Sequence, residues 1–182
     1  GYVIDGNGIN FDLVKQIKEV ERGRIKDYAA RVETATYHDG SVWTAKLAYD
    51  IALPCATQNE IDADKAQIVI SNGAKAVAEG ANMPSTPEAI AAYQAANVLY
   101  GPAKAANAGG VAVSALEMSQ NSMRLSWTFD EVDARLKQIM QNIFARSVAA
   151  ADNYQVSGDY LSGANIAGFT KVADAMIAQG LV

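Results

Sequence analysis

Asn107, Val111, Ser114 and Met118 follow one another at spacings of three to four residues around the pair Gly109-Gly110. At about 100° per residue, that spacing puts an amide, a methyl wall, a hydroxyl and a thioether on one stripe of a helix. The chemistry of such a set is binding rather than bond-breaking: it suits a small polar molecule with an aliphatic middle. Two glycines at the start of the helix let another molecule approach the backbone, and a helix N-terminus favours anions. A plainer reading stands beside it, with Gly109 and Gly110 serving helix packing and Ser114 bonding back to a carbonyl.

Two loops add polar groups. Cys55-Ala56-Thr57-Gln58-Asn59 and Gly80-Ala81-Asn82 each follow a run that reads as a strand. In open α/β sheets ligands bind outside the carboxyl ends of the strands. Two such loops and a glycine-started helix together form a plausible crevice. Other candidates are weaker. Asp5-Gly6-Asn7-Gly8 after Tyr2-Val3-Ile4 resembles a dinucleotide loop, but Phe11 stands where the third glycine is needed. Cys55 has no evident partner for a nucleophile's work. The one histidine, His38, reads as a surface-loop residue and excludes a His-rich metal site; no metal site is expected. Asp130, Glu131 and Asp133 have a capping and dipole role.

The elements that must position these residues alternate. Tyr2-Val3-Ile4 is a short strand. An amphipathic helix follows with Ile9, Leu13, Val14, Ile17 and Val20 on one face, and Ile25, Tyr28, Ala29 and Val32 indicate a second helical stretch. Residues 50–56 read as a buried strand with Pro54 near its carboxyl end, because proline cannot donate to a ladder. Residues 61–72 are ambiguous between strand and helix. Residues 74–78 and 98–100 read as strands. Thr86-Pro87 starts a helix that runs to about Ala96. A helix from Asn107 or Ala108 runs to about Leu125. Thr128-Phe129-Asp130-Glu131 is a capping box, with Trp127 and Val132 placed as a hydrophobic staple. A final helix carries Ile166, Phe169, Val172 and Met176, and Gly180 stands just past its end. Strand–helix alternation followed by helices alone predicts an α/β fold with a mostly parallel sheet.

Composition sets the outer limits. The chain has 182 residues, 50% of them hydrophobic and 19% charged, which fits a folded domain and not a disordered one. Fifteen Lys and Arg against twenty Asp and Glu give a net charge of −5, which argues against nucleic acid as a partner. A single cysteine precludes an internal disulfide and points to a reducing, cytoplasmic compartment. No uncharged stretch is long or apolar enough to span a bilayer, so no membrane association is expected. The start at Gly1, at the edge of a strand, hints at a piece of a longer chain.

Four runs are familiar: Asp50 to Glu60, Ala76 to Pro84, Lys104 to Gln120 and Gly163 to Met176. In this order they resemble the glutamate dehydrogenases of the Glu/Leu/Phe/Val dehydrogenase family, nearest to the bacterial hexameric NADP-type enzymes. The resemblance covers essentially the whole chain. It implies a Rossmann-like, doubly wound, mostly parallel sheet, incomplete at its N-terminal βαβ unit and followed by C-terminal helices. Residues 1–158 would be part of the dinucleotide-binding domain, and 159–182 a closing helix that packs back on a substrate domain lying outside this chain. The implied reaction is reversible oxidative deamination of L-glutamate to 2-oxoglutarate and ammonia, with hydride transfer to NADP or NAD, in a homo-hexamer. The implied catalytic lysine and aspartate, and the glycine loop, lie outside this chain, which alone would be inactive. Residue by residue, the resemblance places Ser114 on the substrate γ-carboxylate and Val111 on its aliphatic chain. It places Asn82 and Asn107 near the nicotinamide end and Ala56 and Thr57 along the nicotinamide ribose. Leucine, valine and phenylalanine dehydrogenases would need an apolar wall at Ser114. A stand-alone binding or structural module of the same fold is the alternative from another class.

Overall fold

The computed structural model describes residues 1–180. Of the expected closing segment 159–182, residues 181 and 182 lie outside the described residues. The chain forms two compact units, Gly1–Leu47 and Ala48–Val182.

In the first unit, β1 (Tyr2–Asp5) pairs antiparallel with β2 (Ala35–His38). Between them run α1 (Phe11–Lys15), a π-helical turn (Gln16–Val20) and α2 (Lys26–Ala29). The expected amphipathic helix is therefore split, and only Ile17 of its apolar face is fully buried, while Val20 is exposed. The second helical stretch is shorter than expected and gives way to β2. His38 is accordingly a strand residue and not a loop residue: it stands opposite Tyr2 and stacks on its ring at 5.1 Å. The cross-strand partner that makes 35–38 a strand lies more than thirty residues away in sequence, beyond the reach of local periodicity. Buried Tyr28 ties this unit together. Its hydroxyl accepts from the Asn10 amide at 2.8 Å and donates to Asp5 Oδ2 at 3.2 Å.

The second unit holds three parallel strands in the order β3 (Ile51–Ala52), β4 (Ala76–Ala78) and β5 (Leu99–Gly101). Helix α3 (Ala63–Ser71) connects β3 to β4, and α4 (Pro87–Ala95) connects β4 to β5. This is the α/β arrangement with a parallel sheet that the strand–helix alternation predicts, and the Rossmann-like one that the resemblance implies. The ambiguous stretch 61–72 resolves as helix, started by Asp62, whose carboxylate accepts from the Lys65 amide. Thr86 caps α4, with Pro87 at its first position.

The sheet is buried on one face. Ala52, Val77 and Tyr100 share a register row and are almost wholly covered, with Tyr93 of α4 stacked on Tyr100 at 6.0 Å. Ile51 and Leu53 point the other way and are 59% and 60% exposed. Residues 50–56 are thus a half-buried strand only two residues long, where a fully buried one was expected. The other face of β4 and β5 opens onto an apolar cavity of about 390 Å³ shared with Met140, Ile143 and Phe144.

Four helices follow: α5 (Ala103–Ala106), α6 (Gly109–Met123), α7 (Phe129–Asn153) and α8 (Tyr160–Gln179). Both halves of the capping box form at the start of α7. Trp127 carries the Arg135 guanidinium over its ring at 4.2 Å. Helices α7 and α8 approach so closely at Gly163 that a Cβ there would lie 2.2 Å from the Ser147 carbonyl oxygen. Phe169, Val172 and Met176 of α8 are exposed, while Ile166 of the same face is half-buried. No helix among the described residues is long and apolar enough to cross a membrane.

Candidate functional site

Parallel pairing brings the carboxyl ends of β3, β4 and β5 to one edge of the sheet, and the loops that leave them are laced together. The Gly80 and Ala81 amides both donate to the Pro54 carbonyl at 3.0 Å. The Asn59 amide donates to Met83 O and the Ile61 amide to Pro84 O, each at 2.9 Å. Asn59 and Met83 both adopt positive φ, near +50°, a cost that the surrounding bonds offset. Gly80 leaves room for Cys55, since a Cβ there would lie 2.5 Å from Cys55 Sγ.

The expected ribose-side residues Ala56 and Thr57 are exposed, and their amides donate to Glu60 Oε1 at 3.1 and 3.3 Å. That carboxylate fixes the turn after β3. Asn82 is exposed and Asn107 half-buried; both line a recess of about 420 Å³ with Asn59, Glu79, Ser85 and Lys104. The Asn107 side-chain amide donates to the Ala81 carbonyl at 2.9 Å, so the corner between α5 and α6 is tied to the loop after β4.

Asn107 is the C-cap of α5 and stands outside α6, whose first residue is Gly109. The continuous stripe expected from Asn107 to Met118 therefore breaks at the helix junction and begins at Val111. Val111 is 72% exposed, and Ser114 and Met118 are exposed beside it. Neither Val111 nor Ser114 lines the recess. Gly109 serves packing, because a Cβ would lie 3.2 Å from Leu136 and 3.5 Å from Met140 of α7. Gly110 faces open space.

One organising residue is not among those picked out by motif and spacing. Glu79, at the end of β4, is 2% exposed. Its Oε1 accepts from the Ser85 amide and its Oε2 from the Ala103 amide, both at 3.1 Å. Burial first, and then the neighbouring Glu79 carboxylate, raise Tyr100 far above the usual phenol range. Burial pushes the Tyr93 hydroxyl up to about 12. Ser85 eases that shift slightly, although the geometry between Tyr93 Oη and Ser85 Oγ falls short of a hydrogen bond. The sequence signal for Glu79 is a lone charge closing an apolar run and preceding glycine. No group of acidic, histidine or cysteine side chains among the described residues is placed to hold a metal ion.

Residues 1–180 match the family described as Glutamate/Leucine/Phenylalanine/Valine dehydrogenase. The chain belongs to this family. A glutamate dehydrogenase of Bacteroides thetaiotaomicron is 50% identical over all of the chain, and an NADP-specific glutamate dehydrogenase of Escherichia coli is 49% identical. Among solved structures, Plasmodium falciparum glutamate dehydrogenase superposes over the whole chain with a TM-score of 0.92 at 45% identity. The chain spans about two fifths of the length of these dehydrogenases: 41% of each of the first two and 40% of the third. Within the family fold, three of the four sequence motifs mark the laced loops and α5–α6, and the fourth, Gly163–Met176, lies in α8. The Asp50–Glu60 run forms β3 and its turn, Ala76–Pro84 forms β4 and its loop, and Lys104–Gln120 forms α5 with most of α6.

Proposed function

We propose that this chain is the coenzyme-domain portion of a glutamate dehydrogenase. The whole enzyme would catalyse reversible oxidative deamination of L-glutamate to 2-oxoglutarate and ammonia, with hydride transfer to NADP or NAD. In this reading residues 1–158 belong to the dinucleotide-binding domain and 159–182 to the closing helix. The catalytic groups lie outside this chain, which alone is inactive. The observation that carries the reading is the pair of asparagines, Asn82 and Asn107, held beside one recess at the carboxyl edge of a parallel sheet.

The donor set suits a nicotinamide coenzyme. Asn107 spends its NH2 on Ala81 O, which leaves its side-chain oxygen to accept from a carboxamide. Asn82 and Thr57 present exposed polar groups at the ends of two adjacent strands. When bound, the nicotinamide supplies the hydride chemistry at its C4. The chain's own part is to orient and select. Ser114 donates a hydrogen bond from its hydroxyl to the substrate γ-carboxylate, and Val111 packs on the aliphatic chain once the cleft closes. A leucine, valine or phenylalanine side chain would leave the Ser114 hydroxyl buried without a partner, at about 1–3 kcal/mol, so glutamate is favoured over the sister substrates. NADP is favoured over NAD by the naming of the relatives, several of which are NADP-specific. A homo-hexamer in the cytoplasm completes the reading, with the exposed outer face of α8 covered by the rest of the enzyme.

The experiment is Ser114→Val in the full-length protein. The expected result is a kcat/KM for glutamate reduced at least a hundredfold with coenzyme affinity unchanged. Equal effects on both, or none, would remove Ser114 from the substrate site. Absence of glutamate-dependent NADP or NAD reduction by the wild-type protein would leave the binding-module reading in place.

A further inference from the structure

Glu79 spends both carboxylate oxygens on backbone amides that belong to different segments. Ser85 closes the loop after β4, the loop that carries Asn82. Ala103 opens α5, the helix that Asn107 ends. Among the described residues no lysine or arginine lies within ion-pair distance of Glu79. A carboxylate taken out of water without a cation is a poor source of stability compared with an apolar side chain of similar volume. What the carboxylate does, and an apolar group does not, is accept from two amides at a fixed separation.

We infer that Glu79 is a positioning residue of the coenzyme crevice. By bridging the Ser85 and Ala103 amides it sets the separation of the two loops that present Asn82 and Asn107. The inference rests on the proposed function, because Asn82 and Asn107 meet a coenzyme only in that reading. The carboxylate stands at the buried floor of the recess with both oxygens engaged, and acts through the two loops. Glutamine has the same shape but one acceptor and one donor at its end. Its NH2 would oppose one of the two amides, so Glu79→Gln releases one loop without emptying the core.

The test uses the full-length protein, with NADPH and NADH titrated separately by fluorescence and with steady-state kinetics at 25 °C. Glu79→Gln is expected to weaken binding of the preferred coenzyme at least tenfold and to raise its KM in step. The KM for 2-oxoglutarate should change less than twofold. A residue needed only for stability would lower Tm and leave coenzyme affinity at 25 °C alone, so a folded Glu79→Gln variant with a Kd within twofold of wild type overturns the inference. If that variant does not fold, amide hydrogen exchange of the wild type decides. Peptides carrying Ser85 and Ala103 should be protected at least a hundredfold relative to unstructured chain and slow further, together, on coenzyme binding. Unprotected exchange, or no response to coenzyme, overturns the positioning role. A wild-type protein that binds neither NADPH nor NADH overturns the proposed function itself and this inference with it.

Discussion

The corner where β4 and β5 end and the outer stripe of α6 hold the two halves of the proposed site, and they are built in opposite ways. At the corner, Glu79 is buried and joined to the Ser85 and Ala103 amides, and Asn107 is tied to Ala81. On α6, Val111 and Ser114 are exposed, and the Ser114 hydroxyl takes part in none of the hydrogen bonds among the described residues. The half proposed to face the coenzyme is thus preorganised within this chain, with its polar groups already set by backbone. The substrate-facing half is a bare helical surface. Its contribution to specificity depends on being dried by something else, since a hydroxyl in water discriminates little between substrates.

That contrast predicts an order of effects. The largest belongs to Glu79→Ala. It leaves the Ser85 and Ala103 amides without their acceptor, and we expect about 3 kcal/mol of lost stability in urea unfolding. A loss below about 1 kcal/mol would mean that water replaces the carboxylate and that the corner is not preorganised by it.

Next come two tyrosines that differ in their surroundings. Tyr100 is raised in part by the Glu79 carboxylate, whereas the buried Tyr93 hydroxyl has no hydrogen-bond partner. Tyr100→Phe should cost about 1 kcal/mol, while Tyr93→Phe should be neutral or stabilising. Equal effects would show that the two hydroxyls share one network. The same pair makes an alkaline prediction. Both phenols have raised folded-state values, Tyr93 about 12 against an ordinary 10.0, so folding favours their protonated forms. Their contribution is intact below pH 10 and is lost as pH climbs from 10 through about 12, because the unfolded chain ionises first. Thermal melts at pH 9 and pH 11 should show the fall, and Tyr93→Phe should reduce it.

The smallest effect on stability belongs to Ser114→Val, expected within about 0.5 kcal/mol of wild type because the side chain is exposed on α6. A larger loss in thermal unfolding would mean that the α6 stripe is already packed, and the contrast between the two halves would dissolve.

Much of this was legible before any coordinates. Thr86-Pro87 starts α4, the Thr128–Glu131 box starts α7, and Gly180 stands one residue past α8. The loops after β3 and β4 fall at the strand ends where the motifs place them. Asn82 and Asn107 do share a recess. The grouping of Asn107 with Val111 and Ser114 on one stripe was not legible, because the break between α5 and α6 turns Asn107 toward Ala81. Nor was Glu79, since a lone carboxylate after a short apolar run reads as the start of a loop.

The division follows from range. The starts of α4 and α7, the strand–helix alternation and the family are legible locally, because caps, turns and periodicity act within one or two turns of chain and the motifs are contiguous. Long-range packing sets the rest: 35–38 pairs with 2–5, Ile51 and Leu53 face outward, and one buried carboxylate bridges residues 85 and 103. Each of those outcomes is fixed by a partner distant in sequence. Hydrogen bonding to a buried group depends on what the fold brings within 3 Å of it.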